Sequence, residues 1–235
     1  MLLVRDRRAV ALGVLGLLAI AIALAALVER AEGTAPKKAP ATPAPAPPET
    51  AIVRSAISPE TPANLQTAFT NEMNAKQRYI AFAKVADRDG YPGVASLFRA
   101  CAQAEDVHAS RHVHAIAYTG EAAQAKLERV AVGTTEENLK VSIGNEDYEA
   151  NTFYPEVMAR ARAAGESEAV RSVNLALAAE REHAKLLTAA LEHLNTHAPV
   201  HTYFVCPYCG KTVESLSFEK CPNCFTKAGK FIKVS

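Results

Sequence analysis

Seven side chains in this sequence have the types and the spacing to hold a pair of metal ions. Ala-Glu-x-x-His-Ala occurs at 104–109 and again at 179–184, placing Glu105 with His108 and Glu180 with His183 three residues apart. Residues three apart share a helix face, so both members of such a pair reach one site. Each copy follows an Asn-Glu pair at nearly the same distance: Glu72 precedes Glu105 by 33 residues, and Glu146 precedes Glu180 by 34. Glu149 adds a third pair of this kind with Glu146. Buried together without cations, five carboxylates would repel one another and be forced to take up protons. Two iron ions would supply the missing charge and suit a mixture of carboxylate oxygen and imidazole nitrogen. A carboxylate on one helix and Glu-x-x-His on the next, given twice, is how a four-helix bundle builds a two-metal site in its core. A single glutamate on an Ala-rich helix is ordinarily solvated; the repeated spacing is what separates this set from that reading.

A second cluster lies near the C-terminus. Cys206-x-x-Cys209 and Cys221-x-x-Cys224, with 11 residues between them, have the spacing of a tetrahedral thiolate site rather than of disulfides. Iron and zinc both suit four sulfurs, and spacing alone does not choose. Gly210 follows the first knuckle, whereas Phe225 follows the second, where a positive φ would favour glycine. The fifth cysteine, Cys101, reads as a small buried hydrophobe. His112 shares the face of His108 one turn on and, like His114, reads as solvated or as a neighbour of the ligands. His193, His197 and His201 fall at the end of the last helix and beyond it, where a cationic group suits the helix C-terminus.

The elements that must position these residues are helical. Apolar residues make up 49% of the chain, aromatics only 6%, and there is no Trp, a mixture that favours Ala-rich helices. A net charge of +1 gives no reason to expect nucleic acid as a partner. Residues 9–28 carry no charge and come after Arg5, Arg7 and Arg8. At about 1.5 Å per residue that run matches a bilayer core of roughly 30 Å, and the basic flank places the remainder of the chain outside the cytoplasm. The reading is a membrane anchor or signal segment over 1–30; the alternative to an anchor is a signal cleaved near Ala23-Leu24-Ala25, releasing a periplasmic or secreted head. A Pro/Ala-rich linker over 31–57 then acts as an extended spacer.

Four long helices are expected over 58–197. The first has Thr61 as N-cap and Pro62 at its first position and stops before Gly90; the second runs from Pro92 to Gly120. The third opens with the capping box Thr134-x-x-Glu137 and stops near Gly165, and the fourth runs from Glu166 to His197. The connection 121–134 is longer than a hairpin between neighbouring helices needs, as the long crossover of a ferritin-like bundle requires. The fold class is therefore all-α, a ferritin-like four-helix bundle. It is followed over 203–235 by a small β ribbon that is too short to be stable by burial alone and needs its metal.

The stretches N-E-M-N-A-K-Q-R-Y, A-E-D-V-H-A, N-E-D-Y-E-A-N-T-F-Y-P and A-E-R-E-H-A-K, with C-P-Y-C-G and C-P-N-C after them, resemble the rubrerythrin family from about Thr61 to Val234. That resemblance implies a rubredoxin-like ribbon and a di-iron site bridged by Glu105 and Glu180. Glu72 and Glu149 would serve one iron, and Glu146 and His183 the other, with Glu149 and His108 exchanging as the oxidation state changes. Tyr79 and Tyr154 are placed to hydrogen-bond ligating carboxylates, or simply to fill the core. The implied activity is reduction of hydrogen peroxide to water, with electrons passed through one iron in the four-cysteine site from a donor protein the sequence does not name. The family implies a homodimer in which one subunit's ribbon meets the other's bundle. The competing functions are a ferritin-like ferroxidase or iron-binding protein with a structural zinc ribbon, and a tethered zinc-ribbon interaction module. The shorter loop between the knuckles and Phe225 are this chain's departures from the rubredoxin-like pattern.

Overall fold

The computed structural model describes residues 58, 60–196 and 199–235. The expected anchor and the whole of the linker lie outside them. Among the described residues no helix is long and apolar enough to cross a membrane. The described residues belong to one compact unit.

Helices α1 (Glu60–Arg88) and α2 (Pro92–Thr119) form the first antiparallel pair. Their shared core is rich in alanine, including Ala75, Ala83 and Ala86 with Ala95, Ala100 and Ala104, and small side chains let helix axes approach closely. The second pair is α3 (Thr135–Tyr148) continued by α4 (Tyr154–Ala163), with α5 (Ser167–Glu192) returning beside them. A π-helical turn, Glu149–Phe153, joins α3 to α4 without breaking the rod, so four long rods make the expected helical bundle. Two apolar clusters fill it, one containing Phe82, Leu97 and Phe98, the other containing Leu65, Ile116 and Val173.

Local chemistry sets the ends. The capping box is present, with Glu137 N–H donating to Thr134 Oγ1 at 3.2 Å and Thr134 N–H to Glu137 Oε2 at 2.8 Å. Gly120 ends α2 in the left-handed region at φ 89°, its N–H returning to the Ala117 carbonyl. Two expected boundaries move. Thr61 is not the N-cap of α1: the helix already includes Glu60, and the Thr61 N–H donates to the Ser58 carbonyl at 3.0 Å. The last helix stops at Glu192, short of His197, because the chain tightens into a 3-10 turn at Leu194–Thr196 in which Thr196 satisfies the His193 carbonyl.

The crossover from α2 to α3 has no regular structure of its own, yet it is stitched to α1 by two side-chain amides. Gln66 donates to Ala122 O (2.7 Å) and accepts from Gln124 N–H (3.0 Å). Further along, Asn74 donates to Lys126 O (3.2 Å) and accepts from Glu128 N–H (2.9 Å). Gln66 and Asn74 are eight residues apart, close to two α-helical turns, so both face the same strap.

The ribbon comprises β1 (Tyr203–Val205), β2 (Thr212–Val213) and β3 (Ile232–Val234), antiparallel in the order β2-β1-β3. Tyr203 and Val205 pack into the bundle's own apolar cluster beside Cys101 and Leu187. The ribbon meets the bundle within a single chain, where the resemblance implies a contact between two subunits. The strand after the bundle packs directly onto α2.

Asn74→Ala removes the two strap hydrogen bonds to the backbone of 126 and 128. The expected cost is about 1–3 kcal/mol, read as a lower melting temperature together with faster amide exchange in 121–134.

Candidate di-metal centre and its four-cysteine neighbour

All seven candidate ligands are buried, none more than 6% exposed. Two overlapping groups have ligand atoms within 4.8 Å of one another: Glu72, Glu105, His108 and Glu180, and Glu105, Glu146, Glu180 and His183. Glu105 and Glu180 belong to both, which is where bridging carboxylates stand between two ions. His108 Nδ1 lies 2.9 Å from Glu105 Oε2, 2.8 Å from Glu180 Oε1 and 3.8 Å from Glu72 Oε1. His183 Nδ1 lies 2.8 Å from Glu180 Oε2, 3.7 Å from Glu105 Oε1 and 3.8 Å from Glu146 Oε2. Glu72 Oε2, Glu105 Oε1, Glu146 Oε2 and Glu180 Oε1 are buried with no hydrogen-bond partner. Glu180 Oε1 is close to His108 Nδ1 without hydrogen-bond geometry, the relation of two ligands that face a common centre rather than each other. Four orphaned carboxylate oxygens around two imidazole nitrogens fit a pair of cations and little else.

Glu149 is in neither group. It lines a cavity of about 200 Å3 with Asn71, Arg78, Asn145 and Tyr148. Of the two residues expected to exchange, the structure shows the histidine turned in.

Without cations the charges settle as electrostatics dictates. Burial, then the charge of Glu180, pushes Glu105 well up and Glu146 up to about 7. Burial, then the charge of Glu72, raises Glu149. Against burial, the neighbouring His108 and His112 imidazoles hold Glu72 below the usual carboxylate range, and the His108 charge holds Glu180 down to about 2. The same carboxylates raise His108, and raise His183 to about 9.

Tyrosines and histidines fix the ligands from behind. Tyr79 Oη donates to Glu146 Oε1 and Tyr154 Oη to Glu72 Oε1, both in short contacts. Each tyrosine therefore reaches across to the other half, and burial with the adjoining carboxylate keeps both phenols protonated. Tyr79 is seven residues after Glu72, two turns on, but Tyr154 is eight after Glu146. At roughly 100° per residue, eight α-helical steps would rotate it about 80° off the Glu146 face. The π turn between them absorbs one residue, restoring a two-turn relation. His112, read from sequence as a solvated or merely neighbouring group, is fully buried: its Nε2 lies 3.0 Å from Tyr154 Oη and 3.5 Å from Glu72 Oε1, and its Nδ1 2.8 Å from Ser172 Oγ. Its spacing of four from His108 was the available signal.

The ribbon covers both ligand histidines. His108 Nε2 is 3.2 Å from the Cys209 carbonyl, which can only accept, so Nε2 carries the proton and Nδ1 is free for metal. His183 Nε2 is 3.1 Å from Thr212 Oγ1. Gly210 is required here twice over: its φ is 73°, and a Cβ would lie 2.1 Å from His108 Nε2. The four thiols converge as well, with Cys206 to Cys224 at 3.5 Å and Cys209 to Cys221 at 3.6 Å. A tetrahedron with ~2.3 Å metal–sulfur bonds has edges of about 3.8 Å, whereas a disulfide is far shorter. Cys209 thus belongs to the thiolate cluster and touches His108 through its carbonyl.

With this geometry in view, the comparisons with known proteins converge. A match to the family described as Rubrerythrin spans residues 63–191, more than half of the chain. The chain belongs to the rubrerythrin family. It is 32% identical over 172 residues to rubrerythrin-2 of Clostridium acetobutylicum, covering 71% of this chain and 92% of that protein. Identity to nigerythrin of Nitratidesulfovibrio vulgaris is 34% over 171 residues, covering 72% and 83%. A solved structure of nigerythrin in a mixed-valence state superposes with a TM-score of 0.69 at 32% identity, covering 74% of this chain and 86% of that one. The rubrerythrin-type di-iron site and its four-cysteine companion are therefore the cofactor sites of this chain, and the donor sets described above fit them.

The site makes two outcomes testable. Gly210→Ala forces the ribbon off His108, so the expected result is weaker protection of His108 from exchange and a lower melting temperature, with the four-cysteine site still loaded. In the metal-free protein, Glu146 (about 7 against an ordinary 4.5) and His183 (about 9 against 6.5) hold protons more tightly folded than unfolded. Their stabilisation is complete at low pH and is lost as pH rises through 4.5–7 for Glu146 and 6.5–9 for His183. Glu180 works the other way, but only as pH falls below its ordinary 4.5. Chelator-treated protein is expected to melt at a lower temperature near pH 9 than near pH 6; a rise over that interval would contradict this account of the buried charge.

Proposed function

We propose that this rubrerythrin-family protein is a peroxide reductase that converts hydrogen peroxide to two waters, drawing its electrons through iron in the four-cysteine site. The observation that carries the reading is Glu149: a buried carboxylate beside the di-metal cluster, outside both ligand groups, on a cavity that reaches it from the polar side. Glu72, Glu105, His108, Glu146, Glu180 and His183 are the residues that would hold two irons, with Glu149 as the alternative donor to His108. Ferrous ions held there would supply one electron each to the peroxide O–O bond, and two protons complete two waters. The rest falls to the chain's own groups. Glu149, its carboxyl pushed up by burial, holds a proton on the cavity side, within reach of an oxygen that enters there. Tyr79 and Tyr154 keep Glu146 and Glu72 oriented through Oη–H donors that do not ionise. The bundle and the ribbon exclude water from the remaining faces.

The link from Cys209 to His108 supports a role for the ribbon in returning electrons one at a time, which favours iron over zinc there and separates this reading from a ferritin-like ferroxidase. The uncharged run at 9–28 behind its basic flank supports a head held outside the cytoplasm by a membrane anchor. A homodimer is part of the proposal on the family resemblance alone.

Glu149→Ala tests the role directly. The variant is expected to keep most of its iron but to re-oxidise with peroxide at least about tenfold more slowly, ~1.4 kcal/mol in barrier, in rapid mixing of the reduced protein. An unchanged rate removes Glu149 from the mechanism; absence of any peroxide reaction in the unmodified, iron-loaded protein removes the reductase reading itself.

A further inference from the structure

Among the described residues, Phe225 is the one non-glycine residue with a positive φ, 62°. It occupies the place in the second knuckle that Gly210 (φ 73°) occupies in the first. In both knuckles this residue's N–H donates to the carbonyl of the first cysteine, Gly210 to Cys206 at 3.0 Å and Phe225 to Cys221 at 2.8 Å. The left-handed conformation is thus demanded by the knuckle, and glycine would meet it without the steric cost that a Cβ brings. Packing does not compensate, because Phe225 is 75% exposed, the most exposed of the large apolar residues described. Strain kept at an exposed aromatic points to a use outside the fold.

The surroundings say what use. Cys206, Cys209 and Cys221 are fully buried, whereas Cys224, immediately before Phe225, is only partly so. The thiolate cluster therefore comes nearest to solvent at Phe225. Lys220 and Lys227 pair across an antiparallel bridge that frames the same knuckle, and both are exposed. From 203 to 235 the ribbon carries Lys211, Lys220, Lys227, Lys230 and Lys233 against only Glu214 and Glu219, in a chain whose net charge is +1. An exposed aromatic beside a lysine pair at the edge of a redox site suits a protein contact steered by electrostatics.

We propose that Phe225, with Lys220 and Lys227 around Cys224, is the docking surface for an acidic one-electron carrier protein. The proposal rests on the reading of the four-cysteine site as redox-active iron. In each encounter the carrier's reduced cofactor loses one electron and the ferric thiolate centre gains it, with no bond made and no proton moved; two encounters supply one peroxide. A bilayer with anionic headgroups is the other surface that lysines and an exposed aromatic would suit. It would bury Cys224 against lipid and close the electron entry, so the carrier is the better fit.

The test uses the full-length protein reconstituted in phosphatidylcholine vesicles, with reduced plant-type ferredoxin as the acidic probe and dithionite as the small reductant. Phe225→Gly is expected to lower the second-order rate of ribbon reduction by ferredoxin about tenfold or more, without lowering the melting temperature, since glycine suits the backbone. The pair Lys220→Glu and Lys227→Glu is expected to lower it similarly and to flatten its dependence on salt. Dithionite should reduce all three proteins alike. Unaltered ferredoxin rates in both variants overturn the proposal. So does a ferredoxin rate that drops when phosphatidylglycerol is added to the vesicles, if the variants abolish that drop, because the face then binds lipid. A ribbon isolated with zinc would remove the relay reading on its own; the surface is then judged by ferredoxin affinity of the zinc form, which must weaken in both variants.

Discussion

Everything in this molecule is arranged around negative charge that cannot be left bare. Glu72, Glu105, Glu146, Glu149 and Glu180 lie in the interior of a helical bundle, where an uncompensated carboxylate is far too costly to persist. The site's own electrostatics shows the conflict: some carboxyls are driven to hold protons while Glu72 and Glu180 are kept ionised by neighbouring imidazoles. Cations resolve it, and the orphaned carboxylate oxygens mark where they belong. The Ala-rich faces of the first helix pair, the tyrosine donors and the ribbon over the histidines all serve to hold that charge in register and dry.

The site is built as two halves that are nearly, but not wholly, equivalent. Tyr79 and Tyr154 cross over to serve Glu146 and Glu72, a reciprocal pair that only a pseudo-symmetric bundle provides. The symmetry is off by one residue. Glu72 to Tyr79 is seven and Glu146 to Tyr154 is eight, just as the spacing to the next Glu-x-x-His is 33 in one half and 34 in the other. The π turn at Glu149–Phe153 absorbs that residue, and Glu149 stands at its start. The extra carboxylate stands where the first half has Ala75, and the π turn that starts there keeps the second half's tyrosine aligned.

The ribbon is joined to the bundle by contacts that leave little tolerance. Gly210 approaches His108 so closely that no side chain fits, and the Cys209 carbonyl sets the imidazole tautomer. One knuckle therefore faces inward and is made of glycine for lack of room. The other faces outward and keeps a phenylalanine in a conformation glycine would prefer. The two knuckles share a backbone design and differ in what stands in front of them.

The sequence by itself marked the candidate ligands, the helical rods and the four-cysteine cluster, because these depend on short-range periodicity and spacing: residues three apart share a helix face, and two C-x-x-C pairs can converge on one ion. The capping box and the long crossover were legible for the same reason. The burial of His112, the crossed tyrosines and the orphaned oxygens were not, since a histidine four residues past a ligand looks the same in sequence whether Tyr154 or water meets it. The π turn was hidden as well, because a one-residue difference in spacing carries no sign of where the helix absorbs it. Only the tertiary structure decided that His108 rather than Glu149 is turned toward the cluster, and that the chain's own ribbon covers the histidines. Those outcomes depend on contacts between residues some 70 to 100 positions apart, such as His108 with Cys209 and Tyr154 with Glu72, and no local pattern encodes them.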